Sequence, residues 1–107
     1  MTMWNLITDA DREVLIRKMI AALPVYSVPE HLRPGLVRYF SDGIIPGSFL
    51  QSVLTNNLTQ AVLRADPESM LALEPIVRFL VAHAPAVAWG SRDAVLTWTT
   101  TPERLEV

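Results

Sequence analysis

The 107-residue chain has no cysteine. That excludes a disulfide framework, a thiolate zinc site and a cysteine nucleophile. Its four glycines are scattered singly, so no glycine-rich loop exists to cradle a phosphate. Lysine is nearly missing: Lys18 is the one lysine among nine basic residues, which face eleven acids for a formal charge of −2 and a pI near 5.6. Binding nucleic acid through its phosphates needs a basic surplus or at least a basic stripe, so nucleic acid is not an expected partner. Charge or proline interrupts every apolar run far short of the ~20 residues of a membrane-spanning helix. The first residues lack the basic start and long apolar run of a signal peptide, and Asp9, Asp11, Arg12 and Glu13 follow at once. Together these absences set the expectation of a cytoplasmic protein with no membrane partner.

What is present is apolar. Half of the residues are hydrophobic and only 19% are charged, which is enough for one core and too apolar for disorder. The length fits one domain, so residues 1–107 read as a single helical domain. Val14, Leu15, Ile16, Met19, Ile20 and Leu23 recur at helical spacing behind a Thr8 cap, and Pro24 is expected to stop this helix. An extended linker over Pro24 to Val28 should follow, then one turn at Pro29 to Arg33. A helix opened by Pro34 should bury Leu36, Val37, Tyr39 and Phe40 and end on a left-handed Gly43.

Phe49, Leu50, Val53 and Leu54 mark the next helix. Asn56-Asn57 reads as a cap or a kink, and Leu58, Ala61, Val62 and Ala65 mark a further helix. Asp66-Pro67 is a strong start for the most apolar segment, Glu68 to His83, which should be central because it is apolar all round. Pro75 should kink or break it. Ser91 should cap a last helix that turns Val95, Leu96 and Trp98 inward, and 102–107 should fray. Val25 to Val28 and Ala86 to Trp89 are the only strand candidates, both too short for a sheet. The pattern predicts an all-α fold, a compact bundle of five or six short helices with proline-marked joints.

Reactive constellations are scarce. His31 and His83 are the only histidines, with no metal-binding spacing around them. Asp9, Asp11 and Glu13 suit the first turn of a helix, where the dipole favours acids. Ser48 lacks a nucleophile elbow and reads as a corner cap, although a helix start with Gly47 and Ser48 can also take an anion. No catalytic, cofactor or metal residue is therefore assigned. Arg33 and Arg38, with His31, suggest a small basic patch. Trp89 and Trp98 border the final helix and read first as clamps onto the core; an exposed one would suit a protein partner. Arg33, Arg38, Trp89 and Trp98 are the candidate partner-binding residues.

The stretch Gly43-Ile44-Ile45-Pro46-Gly47-Ser48-Phe49-Leu50, with Val53-Leu54, Asn56-Asn57-Leu58, Ala65-Asp66, Ala84-Pro85, Trp89-Gly90-Ser91 and Trp98, resembles a family of small helical proteins of phages, prophages and other mobile elements. His31-Leu32-Arg33-Pro34-Gly35-Leu36-Val37-Arg38-Tyr39 extends the likeness, which covers roughly residues 26 to 98. The N-terminal helix and linker, 1–25, lie outside it. Asn57 stands where the family usually has an acid, and Pro75 stands where a helix former is expected. The resemblance implies an accessory protein of a mobile element and supplies no catalytic residue.

The expected function is a non-enzymatic protein–protein interaction module that binds and modulates a host or phage protein complex, inhibition being one version. The alternative is a small helical DNA-binding regulator, with Ser48 to Thr55 or Leu58 to Ala65 as the reading helix. A mean hydropathy of +0.28 is high for so small a chain. It predicts a homodimer, through a face carrying Trp4 and Met19 or through the final helix.

Overall fold

The computed structural model describes residues 9–100, with side chains from Glu13 onward. The expected Thr8 cap, Trp4 and the 102–107 tail lie outside the described residues. Among the described residues six α-helices follow one another: α1 Asp9–Val25, α2 Arg33–Asp42, α3 Ser48–Leu54, α4 Leu58–Arg64, α5 Pro67–His83 and α6 Arg92–Thr100. Single 3-10 turns at Glu30–Leu32 and Ala86–Ala88 precede α2 and α6. There is no strand among the described residues: Val25 to Val28 is the end of α1 and the turn after it, and Ala86 to Trp89 is the second 3-10 turn and its exit. The all-α expectation holds.

The joints explain how such short helices start and stop. In α1, Pro24 does not end the helix, which runs on to Val25. Proline's own φ suits a helix; what it removes is one N–H near the last turn. The stop comes three residues later, at Ser27, whose φ is 62°. Ser27 N–H donates to Pro24 O, and Val28 N–H donates to Leu23 O, both at 3.0 Å. This is a Schellman closure, and Leu23 and Val28, the two positions whose apolar side chains accompany such a motif, both belong to the buried core. The expected extended linker is therefore a tight helix end that pulls Val28 into the core.

The same closure ends α3. Asn56 has a φ of 61°, and Asn57 N–H donates to Ser52 O at 2.9 Å. Asn57 then caps α4, its side chain accepting from Gln60 N–H at 3.1 Å. The asparagine pair thus ends one helix and starts the next, leaving α3 and α4 as a close hairpin. Gly43, at φ 69°, ends α2 as expected. Asp66 accepts from Ser69 N–H at 2.7 Å and opens α5, with Pro67 at its first position. Ser91 accepts from Ala94 N–H at 3.0 Å and opens α6.

Two expectations about α5 are corrected. The helix is unbroken through Pro75. Proline cannot donate to the carbonyl of Leu71, and Leu71 is 83% exposed, so this lost bond lies on the outer side of the helix. Nor is α5 central. Ser69, Ala72, Ile76, Phe79 and Leu80 are buried, whereas Met70, Leu71, Val77 and Val81 are exposed. Apolar residues at every angle mark burial only if partners surround the helix, and this one has partners on one side.

The core joins Met19 and Leu23 of α1, Leu36, Tyr39 and Phe40 of α2, Leu54 of α3, and Ile76, Phe79 and Leu80 of α5. Tyr39 is fully buried and its hydroxyl donates to Ala88 O in the second 3-10 turn. Its own carbonyl accepts from Trp98 Nε1 of α6 at 2.9 Å. Gly90 N–H donates to Leu54 O at 2.7 Å, closing the same region onto α3. Leu96, expected inside, faces out; Val95 and Trp98 already fill the inner face of α6.

Tyr39→Phe is expected to lower stability by about 1–3 kcal/mol, because it strands the buried Ala88 carbonyl; urea unfolding measures it. Pro75→Ala is expected to raise stability by about 1–3 kcal/mol by restoring the donor to Leu71 O; an unchanged or lower unfolding midpoint would contradict the account of α5.

Candidate functional site

The expected site residues separate in three dimensions. Trp98 is 3% exposed, with its indole N–H held by Tyr39 and its ring edge-on to Phe40 at 6.5 Å. It is a core residue, so no partner reaches it without unfolding α6, and its candidacy as a partner contact is withdrawn. Trp89 is half-buried against the same core. Both tryptophans fit the reading as clamps. Arg33 is half-buried, and its Nε donates to Val28 O at 2.8 Å, tying the start of α2 to the end of α1. Arg38 is exposed. The two arginines therefore form no common patch: Arg33 closes a joint, and Arg38 lines a surface cleft with His31. Met19, one expected dimer contact, is fully buried.

That cleft has a volume of about 500 Å³ and lies between the start of α2, the start of α3 and the α4–α5 joint. Arg38, His31, Arg64, Ser48, Asp66 and Ser69 are the polar residues of its wall. His31 Nδ1 stands 3.5 Å from Glu68 Oε1. Gly35 forms part of the wall, and a Cβ there would meet Leu50 Cδ1 at 3.3 Å, so α2 approaches α3 closely at that point. The Asp66 carboxyl is held below its ordinary value of 3.8, first by the hydrogen bond from the Ser69 backbone N–H, then by the Ser69 side chain, with His31 adding attraction.

A second cleft, of about 370 Å³, shares Ser48 and Arg64 with the first and runs along the α3–α4 hairpin to Arg92 at the start of α6. Arg64 and Arg92 were not singled out by the sequence, since 28 positions separate them and only the fold brings them to one cleft. The i,i+4 pair Gln60 and Arg64 was the one legible signal, and Arg64 Nε does donate to Gln60 Oε1, at 2.9 Å.

The third feature is apolar. A shallow groove of about 50 Å³ between α4 and α5 is lined mostly by Val53, Leu58, Ala61, Leu73 and Val77, with Asn56 and Asn57 at the α3–α4 turn. Leu58, 67% exposed, and Val62 lie one turn apart on α4, while Met70, Val77 and Val81 follow at helical spacing on α5. Val81 is 72% exposed. Leu58 and Val77 line the groove from the two helices, and Val62, Met70 and Val81 add exposed apolar side chains at helical spacing from them. No group of three or more His, Asp or Glu side chains suited to a metal ion occurs among the described residues. No helix among them is long and apolar enough to cross a membrane.

No protein-family model, curated protein or solved structure matches the chain.

The Asp66 cap yields a pH prediction. A carboxyl held low in the folded state adds stability that is complete above its unfolded value and is lost as pH falls through the folded one. Unfolding midpoints measured between about pH 5 and 2 should fall less steeply for Asp66→Asn than for the parent chain. Identical slopes would show that the cap does not couple to folding.

Proposed function

We propose that the protein is a non-enzymatic protein-binding module that docks through the apolar surface of α4 and α5. The observation that carries this reading is that surface itself. Leu58 on one helix and Val77 on the next line a shared groove, and Val62, Met70 and Val81 are exposed at helical spacing from them. Contiguous apolar side chains at i, i+4 and i+7 positions on neighbouring helices suit an amphipathic partner helix laid along them. A second copy of the chain presents such helices, and a two-fold axis through the groove would pair α4 and α5 with their own equivalents. The homodimer expected from composition thus gains a specific face, different from the two first considered. An accessory role in a mobile element, modulating a host or phage complex, agrees with an interaction module and rests on the resemblance alone.

The DNA-reading alternative is less well supported. As a reading helix, α4 would offer Gln60 and Arg64 for base edges, but it also exposes Leu58, Val62 and Leu63, and the chain carries a net charge of −2 rather than the basic surplus that phosphate binding needs.

Light scattering at high protein concentration is expected to give twice the chain mass of 11.9 kDa. The double variant Leu58→Glu/Val81→Glu should return it to the monomer with an unchanged helical spectrum, because both positions are exposed. A monomeric parent chain, whose captured partners the double variant retains equally, would overturn the proposal.

A further inference from the structure

We infer that the cleft between α3, α4 and Arg92 is an anion site for a phosphorylated ligand, distinct from the apolar docking surface. The argument begins with which arginines are already engaged. Among the described residues, Arg17 pairs with Glu13, Arg78 pairs with Glu74, and Arg33 donates to Val28 O. Arg38, Arg64 and Arg92 have no carboxylate partner, and all three line the two adjoining clefts that meet at Ser48 and Arg64. Three arginines without an internal counter-ion among the described residues thus lie at one place on a chain whose net charge is −2, while Lys18, exposed on α1, lies elsewhere.

The lining of the α3–α4 cleft is as selective as its charge. Ser48, Gln51, Thr55, Gln60, Arg64 and Arg92 surround it, joined by Ser52 and Asn57. No carboxylate and no large apolar side chain belongs to that wall, although half of the chain is hydrophobic. Asp93, next to Arg92, is exposed and does not line the cleft.

The hydrogen bonds inside the wall fix which groups remain. Ser52 Oγ donates to Ser48 O, and Thr55 Oγ1 to Gln51 O, so those hydroxyl protons are occupied. Arg64 Nε donates to Gln60 Oε1, which holds the guanidinium in place and leaves its two terminal nitrogens free. It also turns the Gln60 carboxamide so that its NH₂ remains a donor. The cleft thus presents two guanidinium groups and the Gln51 and Gln60 amides. This donor-rich, acceptor-poor set suits phosphate oxygens, and guanidinium groups bind them with two parallel hydrogen bonds. No aromatic ring lines the cleft for a base to stack on, so recognition goes through the phosphates. Gln60 and Arg64 lie across α4 from Leu58 and Val62, which leaves the site open when the apolar face is covered.

Inorganic pyrophosphate titrated into the full chain, followed by amide chemical shifts, tests this site. The expected result is saturable shifts at Gln51, Gln60, Arg64 and Arg92 below about 10 mM. Arg64→Ala and Arg92→Ala should each weaken binding about tenfold, while the exposed, acid-paired control Arg78→Ala should leave it unchanged. A parallel arm with a single-stranded oligonucleotide separates the sources of phosphate. Competition with pyrophosphate for the same shifts assigns a nucleic-acid backbone, and pyrophosphate binding alone assigns a small ligand. The inference is overturned by non-saturable shifts, or by equal weakening in the Arg78→Ala control.

Discussion

Tyr39 is the residue on which the rest of the molecule closes. It sits in the middle of α2, is fully buried, and makes two polar contacts with parts of the chain about half its length away. Its hydroxyl donates to Ala88 O, and its carbonyl accepts from Trp98 Nε1. Phe40 beside it packs edge-on to both Tyr39 and Trp98. A buried carbonyl and a buried indole N–H each need a partner, so the second 3-10 turn and α6 can dock in only one position relative to α2. Gly90, at φ 102°, lets the chain turn between them while its N–H reaches Leu54 O. Through these contacts the last quarter of the described chain is locked to α2 and α3.

The helices themselves are too short to persist alone. α3 and α4 span seven residues each, well below the length at which an isolated helix is even marginal in water. They exist because their ends are closed and their inner faces are buried. Ser27, Gly43 and Asn56 supply left-handed stops, and Asn57, Asp66 and Ser91 supply side-chain caps. A serine or an asparagine with positive φ costs more than a glycine would, and burial of Val28 and Leu54 next to these turns offsets that cost.

The functional readings meet on α4. One flank carries Leu58 towards α5, with exposed Val62 one turn on; the other carries Gln60 and Arg64 into the polar cleft shared with α3. A seven-residue helix with two different exposed flanks suits the two recognition roles proposed for it. Docking on the apolar side and anion binding on the polar side use different atoms, so each can be disturbed without the other.

The local rules of the chain determined its helices and most of their ends. Asp66-Pro67, Ser91 and Gly43 act through bonds to residues within four positions, and short-range chemistry of that kind is legible in a string of letters. The apolar spacing of Leu36, Tyr39 and Phe40 was legible for the same reason. Tertiary structure decided what lies outside. Apolar residues at every angle of α5 cannot state which side has neighbours; α4 and the core left Met70, Val77 and Val81 exposed. The same holds for the arginines. Arg33 and Arg38 are close in the chain yet do different work, while Arg64 and Arg92 are far apart in the chain and share a cleft. Exposure and convergence depend on which distant segments pack together, and that depends on long-range contacts such as those of Tyr39.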